Sequence, residues 1–452
     1  MQSVAYGAQR PGGPVDIGRI AAALGPFPNV AYEAAHVYPM SAPDFRLHPG
    51  TPRERPAPGP LKLYVHIPFC NYACRFCFYA KRVGSRRDQM ERYVRGLQRE
   101  LEWVENTTPL TQLYMGGGTP TALDADLLDE LLATIFATMP PAPGASRSVE
   151  SSPESLSAEH VRVLQTRGVE RVSMGIQSLD EHVLEAINRR HSARQAIEAC
   201  ELLVASGFFV NVDLMYGLPG QSEASFRSDL EACAARRPDS FTIYDLRLNE
   251  HAPLGSGVSA ADRLDLARLM QWRATVLAAT HALGYVQTRW HTFVRHDHPP
   301  SAYDRAPCVD GFAAGRQLGI GVSAVSHLGE TIYRNHGGFD GYLTRVERDK
   351  SPVEETFPLT EEDHKTLFVI RTLGDGARLH RAEYAEAFGN AIEEDFGAAI
   401  DCLGAADLIH EEAGQLFLSE TGRLVYDLVT VAFYPPRAQR WLRERQHLFG
   451  SN

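Results

Sequence analysis

Residues 64–77 read Tyr64-Val65-His66-Ile67-Pro68-Phe69-Cys70-Asn71-Tyr72-Ala73-Cys74-Arg75-Phe76-Cys77. The short apolar run Tyr64–Ile67 has the character of a strand and leads into a loop with three cysteines in C-x3-C-x2-C spacing. Three thiolates this close can grip one metal centre and leave one coordination position open. A structural zinc site uses four protein ligands, and no second C-x2-C pair stands elsewhere in the chain. A cluster that needs a vacant iron suits three ligands better. The plain alternative is three incidental thiols in a reduced protein, and their clustering argues against it.

Downstream the pattern alternates between strand and helix. Leu61–Ile67 is the first expected strand. A helix follows from Asp88 to about Val104, with Met90, Tyr93, Val94, Leu97, Leu101 and Val104 at helical spacing. Gln112–Met115 is the second strand and ends in Gly116-Gly117-Gly118-Thr119-Pro120-Thr121. Arg147–Ser151, Glu170–Gly175, Phe208–Met215 and Ser240–Leu246 are read as the third to sixth strands, with helices between them and Ala261–Leu283 closing the series. Such alternation implies a parallel sheet, which right-handed crossovers curl toward a partial barrel. Sites in these sheets lie at the carboxyl ends of the strands. The cysteine loop, the glycine run, Glu150, Gln177 and Asp213 all fall at such ends, which points to one shared site.

The flanks read differently. Residues 1–60 are rich in Pro and Gly, and Thr51–Pro60 carries four prolines that forbid a helix. This stretch is expected to be an extended leader, with one short helix near Asp16–Leu24. The barrel is placed at 61–290. Residues 291–355 are read as an irregular connecting segment that completes the site. Residues 356–452 are read as a smaller, mainly helical domain resembling a winged helix, with a hairpin from Leu408–His410 and Leu416–Leu418. Its lack of a basic face favours packing over DNA binding.

The whole chain has 452 residues, 44% hydrophobic content and a net charge of −11. That length allows two domains, and the charge argues against a nucleic-acid binder. No apolar run is long enough to span a bilayer, and the N-terminus lacks a signal-peptide pattern. Of seven cysteines, the four outside the loop are scattered, so no disulfide framework is expected. A cytoplasmic location follows, with no membrane partner. Cys200 and Cys233 read as core thiols on helices, and Cys308 stands in a loop.

Five ordered motifs carry a resemblance: the cysteine stretch, GGGTPT, SMGIQS at 173–178, NVDLMYGLPGQ at 211–221 and GIGVSAVS at 319–326. Together they resemble the oxygen-independent coproporphyrinogen III dehydrogenase family of radical S-adenosylmethionine enzymes. The resemblance spans about residues 61–355 and, more weakly, the C-terminal domain. It implies an α/β fold with a partial (β/α)6, TIM-like radical SAM barrel. It also implies a 4Fe–4S cluster on Cys70, Cys74 and Cys77, and two S-adenosylmethionine molecules. Tyr64, Gly117 and Glu150 would attend the first: Gly117 by letting its amino acid approach the backbone, Glu150 by meeting its ammonium group. Phe76, Gly118, Thr119, Gln177, Arg189 and Asp213 would surround the second, with Asp213 on ribose hydroxyls and Arg189 on a carboxylate. Arg247 and Val325 fall at further ligand-lining positions. The resemblance also implies a small-molecule substrate and an electron donor such as flavodoxin or ferredoxin, and the chain is expected to be a monomer. Read without the family, Glu150 is a strand-end charge and Arg189 a partner for a surface acid.

The match departs from a porphyrinogen dehydrogenase in two places. The Arg-Tyr-Thr-Ser-Tyr-Pro-like segment before the barrel is missing. Phe78-Tyr79 stands where that enzyme has a further cysteine. The His-Asn-x-x-Tyr-Trp signature of the heme-chaperone branch is missing too. These departures favour a third branch, the class C radical methyltransferases and cyclopropanases, which act on sp² carbons of aromatic or heteroaromatic natural products. There a methylene radical made from the second S-adenosylmethionine adds to the substrate. A base must then remove a proton, and Tyr244, His291, His296 and His298 are candidates. Trp290 and Phe293 are candidates for lining a flat substrate's site. Porphyrin oxidative decarboxylation, with Arg247 and the Lys81–Arg87 run greeting carboxylates, and heme carriage on the same scaffold are the alternatives.

Overall fold

The computed structural model describes residues 16–25, 46–47, 49, 51–53, 59–104, 108–246, 252–256, 265–289, 291–299, 301, 303 and 315–444. Thirteen strands of the larger body form one sheet. In chain order the strands are β1 (Arg46–Leu47), β2 (Leu61–Ile67), β3 (Phe69–Cys70), β4 (Arg82–Val83), β5 (Leu110–Gly117), β6 (Pro141–Ser151) and β7 (Arg171–Gln177). They continue with β8 (Phe209–Tyr216), β9 (Ser240–Asp245), β10 (Tyr285–Gln287), β11 (Thr292–Arg295), β12 (Arg316–Ile320), β13 (Val325–Leu328), β14 (Thr331–Asn335) and β15 (Val353–Pro358). Across the sheet the order is β1-β15-β14-β13-β12-β2-β5-β6-β7-β8-β9-β11-β10. From β12 to β9 every neighbour is parallel, and both flanks are antiparallel. β3 and β4 form a separate ribbon within the cysteine loop.

The six expected strands are present in the expected order. Their crossover helices begin at side-chain caps: Ser157, Asp180, Ser192, Ser222 and Asp265 each accept a backbone N–H of the first turn. Ser157, Asp180 and Ser222 each stop a loop that has just left the carboxyl end of a strand, whereas Ser192 follows helix Glu181–Ala186. Those three loops are therefore pinned at both ends, on the rim where the site lies. The sheet is covered by apolar faces such as Tyr93, Val94, Leu97 and Leu101 from helix Arg87–Leu101, all fully or nearly fully buried.

Two expectations change. Among the described residues of 291–355, β11 to β14 and the start of β15 replace the expected irregular segment, and β12 extends the parallel series by pairing with β2. Those strands are short, and the turns between β12, β13 and β14 contain glycine, so no periodic run marks them. The leader is also not a loose arm throughout. Ile20 and Leu24 of helix Ile17–Leu24 are buried in the core of the C-terminal body. Arg53 donates to Glu100 at 2.5 Å and to the Gly319 carbonyl at 2.8 Å.

The C-terminal body packs helices Glu361–Gly374, Arg381–Phe388, Ile392–Ala405, Tyr426–Val431 and Pro436–Glu444 on a small sheet. That sheet is ordered β16 (Leu379–His380), β18 (Gln415–Leu418), β17 (Ile409–Glu412), and includes the expected hairpin. Helix Leu266–Ala282 faces both bodies. Trp272, Val276 and Ala279 lie in the barrel core, Leu266 and Met270 in the other. From the same helix, buried Arg273 forms a forked pair with Asp427 at 2.7 and 2.8 Å and also bonds the Leu424 carbonyl. Among the described residues, no helix is long and apolar enough to cross a membrane.

Candidate active site

The cysteine loop leaves the carboxyl end of β2. Cys70, Cys74 and Cys77 are free thiols, and they sit in one another's electrostatic field. Each is tied to a different element. Thr119 Oγ1 lies 3.9 Å from Cys70 Sγ. Arg189 Nη1 donates to Cys74 Sγ at 3.4 Å. Lys81 Nζ donates to the Cys77 carbonyl at 2.5 Å. Burial pushes the Cys70 thiol up to about 12, whereas a coordinating metal deprotonates a thiol outright. Among the described residues no three His, Cys, Asp or Glu groups converge on a single metal ion. Iron–sulfur clusters are held by Cys thiolates, and three thiols on one loop are a donor set that fits such a cluster.

The glycine run is where the structure changes the reading most. A Cβ on Gly116 would stand 2.7 Å from the Glu150 carboxyl. One on Gly117 would meet the His66 ring at 2.5 Å, and one on Gly118 the Phe69 carbonyl at 2.7 Å. Gly117 also has φ +107, outside the range of ordinary side chains. The run therefore makes room for protein neighbours: Glu150 from β6, the His66 ring, and the turn into the cysteine loop. The side of Gly117 where a Cβ would stand is occupied by the His66 ring. That ring bridges Tyr64 Oη at 3.0 Å and the Ala80 carbonyl at 2.8 Å, linking β2 to the far end of the cysteine loop.

Glu150 is not a solvated strand end. Tyr114 Oη donates to it at 2.5 Å and the Gly117 N–H at 3.2 Å. Burial raises its pKa against these two bonds and the charge of Arg171. Asp213, late on β8, accepts from Ser173 Oγ at 3.2 Å and from Asn211 Nδ2 at 2.7 Å. Burial, with the Glu150 charge second, pushes Asp213 up to about 7. The two carboxyls thus face a common space along the sheet.

Rings line that space. Tyr64 stacks on Tyr114 at 6.3 Å, Tyr114 meets Tyr303 at 5.4 Å, and Tyr244 meets His291 at 4.4 Å. Arg171 stands over Tyr303 at 4.6 Å. Tyr244 is 37% exposed, yet desolvation within the curved sheet raises its pKa, with Asp213 and then Tyr303 and Tyr79 adding to the effect. Phe78 and Tyr79 stack on each other at 4.6 Å and are 39% and 57% exposed, at the end of the cysteine loop.

At the end of β7, Gln177 takes a left-handed φ of +73 where the register with β8 shifts, and its buried Oε1 has no hydrogen-bond partner. Arg189 also donates to the Gly175 carbonyl. Burial opposes its charge, but Cys74, Tyr72 and Glu154 outweigh that and raise its pKa. Phe76 is partly buried and packs against an apolar group that includes Val183, Ile187, Met215 and Leu218. Val325 opens β13 against Gly319. His296 and His298 lie at the opposite end of the sheet: β11 runs antiparallel to β9, so Val294 pairs with Ser240 and only His291 reaches the site end. Phe293 is a core residue. Arg247, Trp290 and Cys308 lie outside the described residues. Cys200 and Cys233 are buried core thiols. Sequence reasoning missed His66, Tyr114, Arg171 and Tyr303. For Tyr114 the signal was present, since it sits two residues before the glycine run on an expected strand.

The comparisons with known proteins agree with this geometry. Residues 64–233 match the Radical SAM superfamily. The chain is 26% identical over 400 residues to the oxygen-independent coproporphyrinogen III oxidase of Synechocystis sp., covering 83% of this chain and 84% of the relative. It is 25% identical over 378 residues to the heme chaperone HemW of Bacillus subtilis, covering 82% and 98%. Coproporphyrinogen III oxidase (HemN) from Escherichia coli has the same fold, with a TM-score of 0.74 at 22% identity over 89% of this chain and 92% of that one. A radical SAM domain uses a 4Fe–4S cluster and S-adenosylmethionine. The chain thus carries a radical S-adenosylmethionine domain on the α/β scaffold, and as a whole it resembles the oxygen-independent coproporphyrinogen III oxidase family.

Proposed function

We propose that this chain is a radical S-adenosylmethionine enzyme that oxidises a porphyrinogen-type tetrapyrrole: hydrogen is abstracted from the ring-side carbon of a propionate side chain, the resulting radical gives one electron to an external acceptor, the carboxylate carbon leaves as carbon dioxide, and a vinyl group remains. The observation that carries this reading is the wall of rings, Tyr64, Tyr114, Tyr303, Tyr244 and His291, running from Glu150 beside the cysteine loop. It offers flat apolar faces to the individual pyrrole rings of a tetrapyrrole, and the relatives named as coproporphyrinogen oxidases support it. With a reduced cluster and S-adenosylmethionine bound, the site supplies a 5′-deoxyadenosyl radical.

The chain's own groups have these parts in the proposal. Cys70, Cys74 and Cys77 hold the cluster. Glu150, fixed by Tyr114 and the Gly117 N–H, receives the ammonium group of the first S-adenosylmethionine beside Tyr64. Thr119, Gly118, Gln177, Arg189 and Asp213 attend a second molecule, with Arg189 on its carboxylate and Asp213 on its ribose. Tyr244 and His291 stand where a proton can be taken from the substrate. The curved sheet keeps bulk water from the reacting centre.

One observation favours a second reading. Phe78 and Tyr79 form an exposed aromatic pair in place of the further cysteine of the porphyrinogen enzymes. A smaller aromatic substrate could rest there and accept a carbon from the second S-adenosylmethionine, by C-methylation or cyclopropanation.

One incubation separates these readings. Anaerobically reconstituted protein receives a one-electron reductant, methyl-deuterated S-adenosylmethionine and coproporphyrinogen III. Release of carbon dioxide with 5′-deoxyadenosine is expected. Deuterated carbon in a product would move the assignment to methyl transfer. Tight heme binding with no 5′-deoxyadenosine would replace both readings with a carrier.

A further inference from the structure

The turn after helix Glu181–Ala186 is stitched to the cysteine loop. Arg75 N donates to the Ile187 carbonyl at 3.0 Å. Asn188, in the left-handed region at φ +56, donates through Nδ2 to the Ala73 carbonyl at 2.7 Å. Arg189 therefore rides on the loop it touches. Its Nη2 is anchored on the Gly175 carbonyl, its Nη1 points at Cys74 Sγ at 3.4 Å, and the Tyr72 ring lies 5.7 Å from the guanidinium carbon. Behind it, His191 has a wholly buried side chain with Nδ1 3.9 Å from Glu154 Oε2. A forked cation braced on two sides and aimed at a ligand sulfur is a costly arrangement for packing alone.

We propose that Arg189 is a positioning residue for the cluster itself: its N–H to the Cys74 thiolate raises the cluster's one-electron reduction potential, and a carboxylate bound at Arg189 withdraws that stabilisation. This rests on the reading of Cys70, Cys74 and Cys77 as cluster ligands. Reduction adds one electron from an external one-electron donor and places negative charge on the sulfurs, with no bond made or broken. A cationic donor on a sulfur favours the reduced state, because hydrogen bonds to the sulfurs and local charge set such potentials. When a ligand carboxylate takes the guanidinium, the reduced cluster becomes the stronger reductant. By linkage, the reduced enzyme then holds that ligand less tightly by the same factor.

The test is an EPR-monitored redox titration of the reconstituted full chain. Arg189→Gln should lower the one-electron reduction equilibrium at least tenfold, about 59 mV more negative, and Arg189→Lys by less. Arg190→Gln removes a neighbouring exposed charge and should move little. S-adenosylhomocysteine should shift the wild-type protein more negative than it shifts Arg189→Gln. Unchanged potential in Arg189→Gln, or an equal shift in Arg190→Gln, overturns the proposal. If Arg189→Gln takes up no cluster, the wild-type protein labelled with [15N]arginine decides: a 15N coupling to the reduced cluster is expected, and none overturns it. Wild-type protein that binds no iron–sulfur cluster would instead sink the underlying assignment.

Discussion

Replacing Gly117 with alanine tests the cradle at its tightest point. The residue has φ +107, and its Cβ would stand 2.5 Å from the His66 ring. The backbone strain alone costs about 1–3 kcal/mol. Forcing a methyl against a ring held at both nitrogens costs a further 1–3 kcal/mol or so. Gly144 separates the two effects, since it has φ +76 with no atom within 4 Å of its Cβ. Gly144→Ala should therefore show strain only, and Gly117→Ala should exceed it by about 1–3 kcal/mol. Urea denaturation of cluster-free protein, followed by far-UV circular dichroism, measures both. In a His66→Ala background the added methyl has no ring to meet, so the Gly117→Ala cost should fall toward that of Gly144→Ala. Equal costs for the two single variants would refute the account of the glycine run as space made for His66.

Three further outcomes are expected. Asp213 ionises near 7 when folded and near 3.8 when unfolded, so the folded chain binds more protons between these values and stability falls as pH rises through them. Asp213→Asn should flatten that stretch of the stability–pH curve, and an unchanged slope would count against the buried carboxyl. Tyr114→Phe removes a bond to Glu150 worth about 1.5–3 kcal/mol when the carboxylate is ionised, so carboxyl 13C shifts should show Glu150 titrating at higher pH. Arg273→Ala leaves Asp427 buried without its forked partner and should cost about 3–5 kcal/mol, read from denaturation midpoints. A loss below about 1 kcal/mol would mean water reaches that site.

The sequence carried the barrel because each parallel strand is an apolar run ended by a glycine or polar motif at its carboxyl end. The cysteine loop, Glu150, Gln177 and Asp213 could be placed on one rim for that reason. β12 to β14 escaped notice because Arg316-Gln317-Leu318-Gly319-Ile320 and its neighbours are four to five residues long, broken by glycines, and buried through long-range pairing. The same limit hid Tyr303, which meets Tyr114 and Arg171, and the approach of His66 to Gly117, all far apart in the chain. Ile20 and Leu24 looked like part of a tail because their partners, such as Leu428 and Met270, lie hundreds of residues away. The His66 ring that stands against Gly117 was visible only in three dimensions.

Helix Leu266–Ala282 has a consequence for how the molecule comes apart. It lends Trp272 and Val276 to one interior and Leu266 and Met270 to the other, with Arg273 pinned between. Neither interior is complete once this rod is withdrawn, so warming should melt both halves in a single calorimetric peak, and cutting the chain near residue 355 should leave the front portion with a bare apolar flank and a stranded cation.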